Sequence, residues 1–243
     1  MLELINIFEP PFEIWSKREP TAEDFKSGKF TMFELTGGIK VKIEKTINNP
    51  YDAVQFILEE NGNAFFNFVE DKLNKSDIFK NWLSYMPPLI PSNILQYQED
   101  YKECNLSEVS REINESGVFL SEGQILFHGG RIHSDNNSLI NLVRPLSTTL
   151  CPRVALSEAL HREKAYRDDE INIYALKVKS PKTKVYIYQH EDSKLGHEKE
   201  VLFTGGASLE IVNKYLIKDS HPIYDVNFSV KNVPVYLIEA TIS

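Results

Sequence analysis

Three short segments of the chain carry residue types that could do chemistry. In Gly196-His197-Glu198-Lys199-Glu200 two carboxylates stand two residues apart. If a strand begins there, Glu198 and Glu200 share a face, roughly 7 Å apart, and Lys199 points the other way. Paired carboxylates can hold a sugar hydroxyl, stabilise a developing oxocarbenium ion and activate an incoming nucleophile. A solvated strand start would carry the same residues. In Ile125-Leu126-Phe127-His128-Gly129-Gly130-Arg131 an apolar run ends in an imidazole beside two glycines. Glycine admits close approach of a ligand to the main chain, although a strand-end His before a plain Gly-Gly turn reads the same way. In Arg144-Pro145-Leu146-Ser147-Thr148-Thr149 three hydroxyls precede the loop Leu150-Cys151-Pro152-Arg153. They can bond a ribose or a phosphate, or cap the next helix.

In this order the three segments resemble the ADP-ribosyltransferase superfamily. Its pattern is a strand ending in Arg-Gly or His-Gly, a strand with a Ser-Thr-Ser-like motif, and a Glu-x-Glu leading a further strand. Here the slots hold His128-Gly129, Ser147-Thr148-Thr149 and Glu198-Lys199-Glu200, and the run Glu198-Lys-Glu-Val-Leu-Phe-Thr-Gly-Gly-Ala-Ser-Leu-Glu-Ile211 is similar to the family's continuation of the last motif. The resemblance covers about residues 118–243. It implies a split β-sandwich with an NAD cleft, NAD as substrate, and release of nicotinamide as ADP-ribose passes to a macromolecule. By the same resemblance, Glu200 stabilises the ribose cation, Glu198 handles the acceptor and Ser147 orients the catalytic group. His128, Gly129 and Thr148 help hold NAD, with Arg153 or Arg144 on the diphosphate because both flank the hydroxyl motif. Members with the Ser-Thr-Ser and Glu-x-Glu motifs usually carry Arg at the first slot, so this chain reads as a His–Ser–Glu hybrid. A Glu two residues before the catalytic one usually accompanies arginine modification, which favours a protein side chain as acceptor. Water (an NAD glycohydrolase) and RNA or DNA are the alternative acceptors. Gln189–His197 corresponds to the target-recognition loop, and one of Tyr186 and Tyr188 is expected to face the cleft and stack on nicotinamide.

These segments need strands to position them. After Gly117 the sequence breaks into short β-branched and aromatic runs separated by Gly, Pro, Asn and Asp. The expected strands are 124–128, 142–148, 171–179, 184–188, 200–203, 208–213, 223–229 and 233–242, with one helix over 154–165. The first half reads as mainly helical. Asn49-Pro50-Tyr51-Asp52 is a helix start; Phe65, Phe66, Val69 and Leu73 form a helical stripe; 76–86 is a helix with Ile78, Trp82 and Tyr85 inward; Leu106, Val109 and Ile113 mark another. The class is α+β, with a helical region over 1–116 and a catalytic domain over 117–243.

Charge divides the chain at the same place. Of 27 basic and 35 acidic residues, residues 1–115 hold 12 and 20, and residues 116–243 hold 15 of each. An acidic chain is poorly suited to tight non-specific binding of nucleic acid, yet the neutral half leaves a nucleic-acid target open. The acidic half is expected to choose a partner: a basic surface, an antitoxin or a chaperone. Two cysteines make no disulfide framework, and no His/Cys cluster has zinc spacing. No apolar run approaches membrane-spanning length, so no membrane partner is expected. The location expected is the cytoplasm, or delivery without a conventional signal peptide.

Overall fold

A computed structural model describes residues 2–60, 62–132, 139–189 and 199–243. The first part is not only helical. Strand β1 (Phe12–Arg18) pairs antiparallel with β2 (Ile39–Ile47), and two short helices, α1 (Ala22–Ser27) and α2 (Met32–Gly37), lie between them. Each helix opens with a capping box, Thr21 with Asp24 and Thr31 with Glu34. The alternation of Ile39, Val41 and Ile43 with Lys40, Lys42 and Glu44 is a strand signature that the helical reading passed over. This arm is rooted where Phe12 packs among the rings of Phe56, Phe65 and Phe68.

Helices α3 (Pro50–Glu59), α4 (Ala64–Lys75), α5 (Asp77–Ser84), α6 (Ser92–Asp100) and α7 (Leu106–Ser116) follow. Asn49 accepts from the Asp52 amide and Pro50 takes the first helical position, as the sequence indicated. On α5 Phe79 and Trp82 are buried and Ile78 packs half-buried against the core, whereas Tyr85, just after the helix, is exposed. Helix α6 has no counterpart among the expected elements.

The second part contributes β3 (Ile125–Gly129), β4 (Leu139–Asn141), β5 (Leu146–Thr149), α8 (Pro152–Leu160), a 3-10 turn (His161–Glu163), α9 (Lys164–Asp168), β6 (Ile171–Val178), β7 (Val185–Ile187), β8 (Glu200–Phe203), β9 (Ser208–Tyr224) and β10 (Val230–Ile242). They form a mixed α/β body around an eight-stranded sheet in the order β4-β9-β10-β6-β3-β5-β8-β7. Every neighbouring pair is antiparallel except β6 and β10. Three expectations are revised. The strand expected over 142–148 begins only at Leu146, after Pro145, which has no amide to give a ladder, and the short β4 lies before the expected range. The runs 208–213 and 223–229 are joined in β9, which tolerates Pro222 because β4 pairs only with its first three residues and leaves the rest an edge. The helix over 154–165 breaks at Arg162 and Glu163, both at left-handed φ of 53° and 59°.

The ladder is continuous but nearly divided. β3 and β5 pair through one residue pair only, Phe127 with Thr149, whereas β3 and β6 pair over five residues. One hydrophobic cluster runs from Leu2 to Ile242 and draws on both parts of the chain. Residues near the start are stitched into it: Ile5 N–H donates to Gln124 Oε1, and Trp82 Nε1–H donates to the Glu3 carbonyl. Among the described residues no helix is long and apolar enough to cross a membrane.

Candidate active site

The near-division of the sheet brings three of the singled-out residues together. Phe127, Thr149 and Glu200 lie in register across β3, β5 and β8. Beyond that line β3 and β5 part. There the His128 side chain takes the place of a main-chain rung: its Nδ1 lies 2.7 Å from the Ser147 carbonyl. A carbonyl only accepts, so Nδ1 carries the proton and Nε2 keeps a free lone pair. Burial pushes the His128 pKa down to about 4, against the opposing effect of the Ser147 carbonyl, so the ring is neutral at pH 7. The Ser147 hydroxyl hydrogen-bonds the buried Glu200 carboxylate. Burial raises the proton affinity of Glu200; the hydrogen bonds from Ser147 and from Gln98 lower it. Gln98 Nε2 donates to Glu200 Oε2 at 3.0 Å. That contact comes from α6, in the half with no recognised motif, and Ser92–Asp100 carries no marked periodicity that would have announced it.

These groups lie on a cavity of about 910 Å³, large enough for a cofactor-sized molecule. Tyr97 and Gln98 line it on the helical side. Four cations also line it: Arg131, Arg144, Arg162 and Lys164. Lys164 is ion-paired with Glu158; the Glu170 carboxyl is held below the usual range, against burial, by Asn172 and Lys214, with Arg131 the last contributor. Among the described residues Arg131, Arg144 and Arg162 form no ion pair, and the Arg162 guanidinium sits 6.0 Å over the Tyr101 ring.

The remaining expected residues are placed as follows. Arg153 turns away from the cavity and Nη1 donates to the Ile57 carbonyl on α3. Thr148 is buried and its hydroxyl donates to the Val201 carbonyl, so its side chain points away from Glu200. Thr149 accepts from the Cys151 amide at the start of α8. Gly129 is required by packing: a Cβ there would meet the Ala155 carbonyl oxygen of α8 at 1.7 Å. The side-chain face of Gly129 is thus filled by a helix, not open to a ligand. Its main chain is another matter. Gly130 N–H donates to the Asn172 carbonyl on the β6 side, so by antiparallel alternation the Gly129 amide and carbonyl point toward β5, where the ladder has opened. Tyr186 and Tyr188 are both buried, packed edge to face, and neither lines the cavity; Tyr188 Oη–H instead donates to the Ile94 carbonyl of α6. Lys199 points away from Glu200 and donates to Asn74 Oδ1 on α4. Glu198 and all but the first residue of the expected recognition loop Gln189–His197 lie outside the described residues.

No protein-family model and no curated protein matches the sequence. Solved structures do. Plx2a, an ADP-ribosyltransferase toxin from Paenibacillus larvae, is 12% identical, with 72% of this chain and 96% of that one covered at a TM-score of 0.41. Exoenzyme S from Pseudomonas aeruginosa, solved with human 14-3-3 protein beta and carba-NAD, is 14% identical over 66% of this chain and 80% of that one, at 0.38. BECa, an ADP-ribosylating toxin of a binary enterotoxin of C. perfringens solved with NADH, is 15% identical over 68% of this chain, at 0.38; the match spans 46% of BECa, under half its length.

Proposed function

We propose that this chain is an NAD-dependent ADP-ribosyltransferase: it breaks the bond between nicotinamide and ribose in NAD and passes ADP-ribose to a macromolecule. The observation that carries the reading is the linked set His128–Ser147–Glu200 on a cofactor-sized cavity where the sheet nearly divides. That near-division is the counterpart of the split two-sheet arrangement implied by the sequence motifs. The Gly129 main chain pairs with the nicotinamide amide, and His128 Nε2 accepts from a ribose hydroxyl. Arg144 and Arg162, two of the three cavity cations without an ion pair among the described residues, take the diphosphate, to which a guanidinium fork is well matched. Glu200 accepts a ribose hydroxyl and faces the cation that forms as the C–N electron pair leaves with nicotinamide. A dissociative step of this kind is accelerated mainly by fixed charge and fixed hydrogen bonds. The acceptor then attacks the ribose carbon and loses a proton, a role that the resemblance gives to Glu198.

A protein side chain, arginine first, is the acceptor that the family resemblance implies for a chain with Glu198 two residues before Glu200. The acidic helical half supports partner choice, with an antitoxin, a chaperone or a basic target surface as its contact.

Nicotinamide release from NAD by the purified protein, with and without a cell extract, tests the reading. Glu200→Gln is expected to slow release by about a hundredfold to a thousandfold, the cost of losing a preorganised charge at a transition state. Wild type releasing no more than Glu200→Gln contradicts the reading. Free ADP-ribose at full rate without extract identifies water as the acceptor instead.

A further inference from the structure

We propose that Gln98 is a positioning residue of this site: from the helical half of the chain, its side-chain amide fixes the orientation of the Glu200 carboxylate. The proposal rests on the NAD-dependent reading above. A carboxylate held by one donor can still rotate about its last bond. Ser147 from β5 and Gln98 from α6 approach Glu200 from different elements, and two such donors fix the plane of the group.

Helix α6 is itself held where this needs it. Its first turn has no side-chain cap of its own. Glu112 of α7 supplies one, accepting from the amides of Asn93 at 3.0 Å and Ile94 at 3.1 Å. Tyr97 Oη–H donates to the Pro145 carbonyl at 2.9 Å, just before β5, and Tyr188 Oη–H donates to the Ile94 carbonyl at 2.9 Å. Residues from α7, the segment before β5, and the segment after β7 therefore converge on nine residues of helix. Gln98 lies one residue after Tyr97, so anchoring Tyr97 beside β5 also delivers Gln98 to β8.

The surroundings supply Glu200 with little else. Among the described residues the titratable groups that face it are Tyr97 on α6, Tyr188 beyond β7 and Glu158 on α8. None is cationic, and Glu158 works against its ionised form. The donors on Ser147 and Gln98 are what oppose burial.

The test is nicotinamide release by the full chain, with Gln98→Met, which keeps length and shape but removes the donor. The control is Gln96→Met on the exposed face of the same helix. Gln98→Met is expected to lower kcat about tenfold to a hundredfold, the range for a hydrogen bond to a charged group, with KM for NAD within about threefold. The acidic limb of its pH–kcat profile should move to higher pH, because a donor lost from a carboxylate favours the protonated form. Gln96→Met should match wild type. Unchanged kcat and pH limb in Gln98→Met, a change in KM alone, or an equal loss in Gln96→Met each overturns the proposal. A wild type that releases no nicotinamide overturns the underlying reading instead, so the two failures are told apart.

Discussion

His128 does two things at once: it closes the gap between β3 and β5 and it offers Nε2 to the cavity. The first role needs only the proton on Nδ1; the second needs the neutral ring. A free imidazole takes its proton near pH 6.5, but in the folded chain only at about 4. Between those values the unfolded chain binds the extra proton. The contribution of His128 to stability is therefore fully present above pH 6.5 and is lost as pH falls toward 4, at no more than about 1.4 kcal/mol per pH unit. Urea midpoints at pH 7 and pH 5 check this: His128→Gln should fall less steeply than wild type, and equal slopes would count against it. His128, Ser147 and Glu200 were legible in the sequence because each ends or begins an apolar run beside residues that fit its chemistry. Thr148 lies on the cavity with its hydroxyl turned to the Val201 carbonyl, and Arg153 lies off the cavity, each for a geometric reason. Adjacent strand residues face opposite ways, so Thr148 could not share the Ser147 face. Arg153, in the first turn of α8, was assigned by nearness in sequence, while the rotation of the helix sends it to α3.

Gly129 and α8 show how one element constrains another. The helix backbone passes so close to β3 that no side chain fits, and Gly129→Ala must push the two apart. The expected loss is about 3 kcal/mol, or failure to fold; Gly130→Ala, at a φ of 118° but with only the Lys164 side chain nearby, serves as the comparison. Chemical denaturation followed by circular dichroism measures both, and a Gly129→Ala chain as stable as wild type would mean that α8 is not fixed there. Elements with a strong periodic or capping signal were readable: α3 from Asn49-Pro50, α7 from Val109 and Ile113, β6 and β8 from their mainly apolar runs. Helix α6 was not, because only Ile94 on it is fully buried and its placement depends on tertiary partners, Glu112, Pro145 and Tyr188, that no local pattern encodes.

Across the molecule the uneven charge acquires a finer division. Residues 12–47 hold seven basic and six acidic side chains, against five and fourteen in the rest of the first 115. The excess negative charge belongs to the segments around the arm, and no arm residue lines the cavity. Phe12 and Ile47 are cross-strand partners at its root, so a tight Gly-containing turn can replace what lies between. That excision should leave nicotinamide release within about twofold of wild type, as expected for parts without shared contacts; a larger loss in the rate assay would show that the arm supports the site. The sheet has a different consequence, for the order in which the chain is made. β6 lies between β3, made earlier, and β10, made later. Every described residue on the cavity has been synthesised by Glu200, thirty residues before β10 begins at Val230. During that interval β6 has an open apolar edge, the kind of surface that chaperones cover and that aggregates when they do not. A nascent chain thus holds the groups of its cavity before it holds the frame that aligns them, Val230–Ile242.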